Sequence, residues 1–149
     1  MSENNPIRVF VTHNFSETDD YLRVFEFLET SDRFFYLNTS KPENAPKSGG
    51  MEEIKDEWIL QIKASEVVIV LASLYAEQAD LVSYQMDVAE ANDIAMIAIR
   101  PFGGVLDTPP DLIERAHVLV EWNDREMVDA IKREARMEDT QRWEVLDFP

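Results

Sequence analysis

Several residue types that would support a specific chemistry are rare or missing in this chain of 149 residues. It has no cysteine, which excludes disulfides, thiolate nucleophiles and cysteine-ligated zinc, and its two histidines are too few for a histidine-rich metal site. Its four glycines form neither of the glycine-rich phosphate loops, GxGxxG or GxxxxGK[ST]. The sequence therefore predicts no bound metal and no nucleotide site built on a glycine-rich phosphate loop.

Basic residues are also scarce, since 14 lysines and arginines face 30 acidic residues and give a formal net charge of −16. Such a surface repels phosphate backbones and anionic lipids, so binding to nucleic acid or to a membrane is not expected. No apolar run approaches the ~20 residues that span a bilayer, and the first residues lack the pattern of a secretory leader. We therefore expect a cytoplasmic protein.

Hydrophobic residues make up 45% of the chain, which is typical of a folded domain. The length predicts a single domain over residues 1–149, with a core over about residues 7–135 and a polar tail over residues 138–149. The apolar residues of that tail are expected to pack back on the body; they are Trp143, Val145, Leu146 and Phe148.

Strand-like and helix-like patterns alternate along the chain. Apolar, β-branched segments predict five strands, over residues 7–12, 34–38, 67–72, 94–99 and 118–120. Helical spacing predicts the helices between them, including a long third helix over residues 76–92. The expected buried faces are Tyr21, Leu22, Phe25 and Leu28 on the first helix and Met51, Ile54, Trp58 and Ile62 on the second.

This alternation predicts an α/β, three-layer fold with a five-stranded parallel sheet in the flavodoxin-like order 2-1-3-4-5. In that order a ligand binds beyond the carboxyl ends of strands one and three, which here are followed by the loops at residues 13–18 and 73–80.

Two chemistries common in this fold class are not expected. A phosphoreceiver would need acidic residues after strands one and three, where the chain has Thr12-His13 and Ala72-Ser73. A serine hydrolase of this fold class would need a G-x-S-x-G turn, which is absent.

Four segments in this order resemble a known family: VFVTHNFSETDDYLRVFEFL, FFYLNTSKPE, VVIVLASLY and AEANDIAMIAIRPFG. They are similar to the TIR-like family with a flavodoxin-like core, typified by the sensor subunits of bacterial Thoeris anti-phage systems. The resemblance covers the chain from about Ile7 to Lys132. It implies an NAD⁺ glycohydrolase or cyclase that uses NAD⁺ as substrate, without a separate cofactor, and makes an ADP-ribose-derived signal nucleotide.

The resemblance places Gln85 where the family has its catalytic glutamate. A carboxylate there can stabilise the oxocarbenium-like ribose that forms when nicotinamide leaves, whereas an amide of the same shape has no charge to do so. Asp87 and Glu90 are turned about 200° and 140° from Gln85 around the helix and do not replace it, nor does Glu77. The chain is therefore expected to bind NAD⁺ and to cleave it very slowly. Two explanations of Gln85 remain open: a Glu→Gln change made in an active protein, or a natural pseudoenzyme.

The resemblance also implies the substrate-binding positions. They are His13, Phe15, Asn38, Ser73, Tyr75 and Leu81, the last standing where related proteins often have a tryptophan. Each has a structural alternative: His13 can orient its turn, Phe15 can pack on the first helix, Asn38 can close a turn, and the two hydroxyls can be ordinary loop residues. Lys41 and Arg100 are candidates for contacting the pyrophosphate.

The implied partners are an effector protein that the product activates and further copies of the chain, joined as a homo-oligomer or TIR–TIR assembly. Two alternatives remain open. One is a module that binds a nucleotide or assembles without chemistry. The other is an enzyme like the nucleoside deoxyribosyltransferases, which share the fold.

Overall fold

The computed structural model describes residues 2–104 and 106–137. The strands are β1 (Ile7–Val11), β2 (Tyr36–Asn38), β3 (Val67–Leu71), β4 (Ala95–Ile99) and β5 (Val118–Val120). They form one sheet in the order β2-β1-β3-β4-β5, and every neighbouring pair is parallel. The predicted α/β fold and strand order are confirmed.

Within the described residues, six helices flank these strands: α1 (Asp19–Glu29), α2 (Met51–Lys63), α3 (Ala72–Glu77), α4 (Ala79–Ala91), α5 (Pro110–Arg115) and α6 (Asp124–Arg136), with a short 3-10 helix at Pro42–Asn44. Helices α1 and α6 contact each other, and so do α2 and α4. Helix α4 packs on β3 and β4, while α6 packs on β3, β4 and β5. The sheet therefore lies between two helical layers.

Strand β3 is buried along its whole length. Its sequence, VVIVL, has no alternation of polar and apolar residues, which is typical of a parallel strand covered on both faces. Strand β4, with the sequence AMIAI, is buried at four of its five residues. The two unbroken apolar runs thus form the centre of the sheet, and their carboxyl ends lie on the same edge as that of β1.

The third helix expected over residues 76–92 is confirmed over Ala79–Ala91 as α4, but its expected start is wrong because a separate helix, α3, precedes it. The chain passes from β3 directly into α3, and α3 ends at Gln78, whose φ of −136° and ψ of 60° are not helical. Helix α4 starts at the next residue. Most of the expected loop at residues 73–80 is therefore helical, because Leu74 and Tyr75 bury their side chains against the core.

The expected buried faces of the first two helices are correct only in part. Met51 is 58% exposed and Leu22 is 43% exposed, whereas α2 buries Gln61 and α1 buries Val24. Met51 is the first residue of α2, so it lies at the rim rather than over the sheet. In α1 the buried residues Tyr21, Val24 and Leu28 follow a strict 3-and-4 spacing, which turns Leu22 outward.

Within residues 2–104 and 106–137, no helix is long and apolar enough to cross a membrane. The apolar residues expected to dock the tail, from Trp143 to Phe148, lie outside the described residues.

Candidate functional site

Gln85 lies in α4 and its side chain is wholly buried against the segment that follows β1. Its Oε1 accepts a hydrogen bond from the backbone N–H of His13 at 3.1 Å, and its Nε2 donates to the His13 carbonyl at 2.9 Å. Nε2 also donates to the Leu81 carbonyl at 3.3 Å. One amide therefore holds both backbone polar groups of His13, and both of its N–H groups are in use.

His13 is 1% exposed, and both of its ring nitrogens bond within the protein. Nδ1 accepts a hydrogen bond from the backbone N–H of Phe15 at 3.0 Å, so Nε2 carries the proton and donates to Oε1 of Gln61 at 2.8 Å. Burial lowers the pKa of His13, opposed by the Gln61 bond and by Glu43 and Glu57. The ring is a neutral structural group that orients the turn.

Phe15 has a φ of +64°, a left-handed conformation that is unfavourable for a bulky side chain. Its ring stacks on Trp58 of α2, with centroids 5.3 Å apart, and meets the His13 ring edge-on at 4.9 Å. Phe15 therefore packs on α2. It is half-buried, so part of its ring is open to a ligand at this end of the sheet.

Asn38 closes a turn at the end of β2. Its Oδ1 accepts from the backbone N–H of Ser40 at 2.9 Å and its Nδ2 donates to the Tyr21 hydroxyl at 3.1 Å. The Ser40 and Tyr21 hydroxyls are 3.0 Å apart and bond to each other. These bonds serve the turn, and they do not include Gln85.

Ser73 and Tyr75 lie in α3 and bond in different directions. The Ser73 hydroxyl donates to Asp20 at 2.7 Å, in a cleft of about 310 Å³ between α1 and α3. The Tyr75 hydroxyl donates to Asp111 of α5 at 2.5 Å. The structure therefore does not bring these two hydroxyls together at one site, because residues two apart on a helix do not share a face.

Leu81 is half-buried and lines a second cleft, of about 460 Å³, between α2 and α4. Trp58 and Tyr84 give this cleft aromatic walls, and the ammonium of Lys55 lies 4.9 Å from the Tyr84 ring centroid. The indole N–H of Trp58 is buried and has no hydrogen-bond partner among the residues that the structure describes. A cleft of this size, with aromatic walls, suits a planar ligand group.

The two basic candidates lie in different places. The backbone N–H of Lys41 donates to Oε1 of Gln61 at 2.8 Å, so Lys41 adjoins the His13 network. Its side chain is exposed. Arg100 pairs with Glu121 and lines a separate cleft beside Phe102, beyond β4.

The acidic residues near Gln85 in the sequence make no hydrogen bond to it, although Asp80 and Asp87 line the α2–α4 cleft. Asp87 and Glu90 both form ion pairs with Arg115 from α5. Glu77 lines the α1–α3 cleft with Asp19 and Asp20. None of these carboxylates takes part in the network that joins Gln85, His13 and Gln61.

Sequence reasoning missed Gln61, which is 3% exposed and accepts from His13 and Lys41 through one oxygen. Its Nε2 donates to the Lys41 carbonyl at 3.2 Å and to Glu57 at 2.8 Å. It also missed the hydrogen bond of 2.8 Å from Asn14 to Gln78, which joins the β1–α1 segment to the break between α3 and α4. A polar residue one position from the apolar stripe of α2 was the available signal for Gln61.

A parallel sheet in this order defines a flavodoxin-like α/β protein, and a buried polar network lies at the carboxyl end of β1, next to the point where the strand order reverses. The family model described as Thoeris protein ThsB, TIR-like domain, matches residues 10–104, which is more than half of the chain. The chain belongs to this family. A comparison with curated proteins found no match.

Proposed function

We propose that the cleft between α2 and α4, next to the buried residues His13 and Gln85, binds NAD⁺ or a nucleotide derived from it. The chain cleaves the nicotinamide–ribose bond far more slowly than a relative with a glutamate at position 85. Membership of the Thoeris TIR-like family indicates a role in anti-phage defence. In this proposal the related active subunits make the ADP-ribose-derived signal that a partner effector reads.

The observation that supports slow cleavage is that Gln85 carries no charge and has both of its N–H groups in hydrogen bonds. Loss of nicotinamide leaves positive charge on the ribose, which a carboxylate stabilises and an amide does not. Both Gln85 N–H groups already bond to backbone carbonyls. Asp87 and Glu90 are held by Arg115, so neither offers a carboxylate in its place.

Binding itself is supported by two accessible groups close to the His13 network. The half-buried ring of Phe15 offers a stacking surface, and the exposed ammonium of Lys41 adjoins the network through its backbone. A local cation matters because the net charge of −16 opposes an anionic ligand. Lys41, with nearby backbone N–H groups, is proposed to meet the pyrophosphate.

The test compares nicotinamide release by the wild type and by Gln85→Glu, with NAD⁺ binding measured by calorimetry and folding checked by circular dichroism. Both proteins should bind NAD⁺, and the wild type should release nicotinamide about 10²–10⁴ times more slowly. Glu90→Gln, which removes a carboxylate outside the α2–α4 cleft, is the matched control and should behave as the wild type. Equal release by the wild type and Gln85→Glu, or no binding by either, would contradict the proposal.

A second candidate is a module that binds a nucleotide or assembles with other copies and never catalyses. The complete burial and full hydrogen bonding of Gln85 favour it, because a side chain fixed in this way serves the fold. A folded Gln85→Glu protein that binds NAD⁺ and releases no nicotinamide would support this module. Transfer of a deoxynucleoside without nicotinamide release would instead indicate a deoxyribosyltransferase-like enzyme.

A further inference from the structure

The α2–α4 cleft holds a positive charge against an aromatic ring. The ammonium of Lys55 lies 4.9 Å from the centroid of the Tyr84 ring, which is within the range of a cation–π contact. Lys55 is half-buried and forms no ion pair with a carboxylate among residues 2–104 and 106–137. The face of the Tyr84 ring is therefore the group that attracts this cation.

The surroundings of the Tyr84 ring are negative. Asp80 and Asp87 are exposed and line the cleft. Asp87 pairs with Arg115, whereas Asp80 has no ion-pair partner in the described part of the chain. Burial, together with the carboxylates of Asp56 and Asp87, raises the pKa of Tyr84. The two carboxylates, which disfavour a negative phenolate at this position, favour a positive group over the same ring.

The cleft also has the shape that a flat group needs. Trp58 is 2% exposed and packs on Tyr84, with ring centroids 6.1 Å apart, so the aromatic wall is held in place from inside the protein. The volume of about 460 Å³ is in the range of small-molecule sites, and Leu81 adds apolar surface. Because the Lys55 side chain is long and flexible, it can leave the Tyr84 ring and let a ligand ring lie there.

We propose that the α2–α4 cleft is a site for planar aromatic cations, and that the ring of the ligand takes the place of the Lys55 ammonium against Tyr84. Lys55 therefore competes with the ligand and lowers its affinity. Where the ligand is NAD⁺, the inference rests on the proposed function and assigns the cleft to the pyridinium ring. The reverse arrangement, a neutral base on Tyr84 with its phosphate on Lys55, predicts that removal of Lys55 weakens binding.

The first test uses two small probes that differ in charge: 1-methylnicotinamide, which is a cation, and nicotinamide, which is neutral. Each is titrated into isotope-labelled protein at pH 7.5 and 150 mM NaCl, where long-range attraction to the negative chain is screened. Dissociation constants come from the backbone amide shifts of the residues that line the cleft. The cation should bind about 5 to 30 times more tightly than nicotinamide.

Four variants test the groups that carry the proposal. Lys55→Met removes the competing charge and should tighten binding of 1-methylnicotinamide about threefold, with nicotinamide unchanged. Lys63→Met is the matched control, because it removes the same charge from the exposed end of α2, and it should leave both constants unchanged. Tyr84→Leu should abolish the preference for the cation. Asp80→Asn, at an exposed position on which folding does not depend, should weaken the cation about twofold.

Three results with the probes would overturn the proposal. The first is equal affinity for the two probes. The second is weaker binding of 1-methylnicotinamide to Lys55→Met, which would make Lys55 a contact for an anion. The third is equal tightening of both probes by Lys55→Met, which would make Lys55 a steric obstacle and not a competing charge.

A second test separates this inference from the proposed function. Calorimetry should show that NAD⁺ binds at least about fivefold more tightly than NADH, whose nicotinamide ring is neutral. Equal binding of NAD⁺ and NADH would overturn the cation site and leave the proposed binding of NAD⁺ standing. Absence of NAD⁺ binding, with the preference for 1-methylnicotinamide intact, would contradict the proposed function and support the cation site.

Discussion

Gln61 carries more hydrogen bonds than its position in the sequence suggests. Its oxygen accepts from the His13 ring and the Lys41 N–H, and its nitrogen donates to the Lys41 carbonyl and to Glu57. It therefore joins α2 to the ends of β1 and β2. Removing a buried amide with four partners leaves several polar groups without a bond, which costs more than the bonds themselves contribute.

Gln61→Met should lower the free energy of unfolding by about 3 kcal/mol, because the His13 and Lys41 groups lose their partners in a site that water does not reach. Urea unfolding followed by tryptophan fluorescence measures this change. Leu60→Met, at the exposed position next to Gln61 in α2, is the control and should change stability by no more than about 0.5 kcal/mol. A loss at Gln61 as small as that of the control would contradict the network.

At the residue scale, the sequence could place His13 and Phe15 after β1, and the resemblance could point to Gln85. It could not show that His13 uses both ring nitrogens internally, since this depends on Gln61, which lies 48 residues away. The directions of the Ser73 and Tyr75 hydroxyls likewise depend on Asp20 and Asp111 from other helices. Such pairings arise from packing and leave no local pattern.

Helix α6 begins with a capping side chain that local sequence does identify. Asparagine is a favoured N-cap residue, and Oδ1 of Asn123 accepts from the Glu126 N–H at 2.9 Å. Asn123→Ala should therefore lower the free energy of unfolding by about 1 kcal/mol, whereas Asn123→Asp should retain most of it. Chemical unfolding of the three proteins measures the difference, and equal stability of the alanine and aspartate variants would contradict the cap.

The break between α3 and α4 is an element that sequence reasoning did not predict. Neither glycine nor proline lies between Ala72 and Ala91, so the usual signals for the end of a helix are absent. The break occurs at Gln78, whose side chain accepts from Asn14. Tertiary contacts override helix propensity here, and the same contact brings the β1–α1 segment against α4.

The whole molecule has a large excess of negative charge, which repels itself most strongly in the compact state. Raising NaCl from 20 to 300 mM at pH 7.5 should therefore increase the thermal midpoint, and relief on the order of 1 kcal/mol corresponds to about 3 °C for a chain of this size. The rise should be smaller at pH 5, nearer the isoelectric point of about 4.3. Scanning fluorimetry measures both series, and a midpoint that falls with salt would contradict the argument.

The overall architecture was the most predictable level. The unbroken apolar runs of β3 and β4 identify central strands, and alternation with helices predicts a parallel sheet. The family match to residues 10–104 agrees with that fold. The location of Arg100 was not predictable in the same way, because its ion pair with Glu121 and its separate cleft depend on the loop after β4.

The central proposal is that the chain binds NAD⁺ and cleaves it too slowly to detect over a day. One NMR experiment on the wild type mixed with excess NAD⁺ tests this claim most directly, because saturation transfer reports binding while the nicotinamide proton signals report cleavage. We predict transfer from the protein to the nucleotide protons, and no growth of free-nicotinamide signals over a day. Absence of transfer, or steady release of free nicotinamide, would contradict the account.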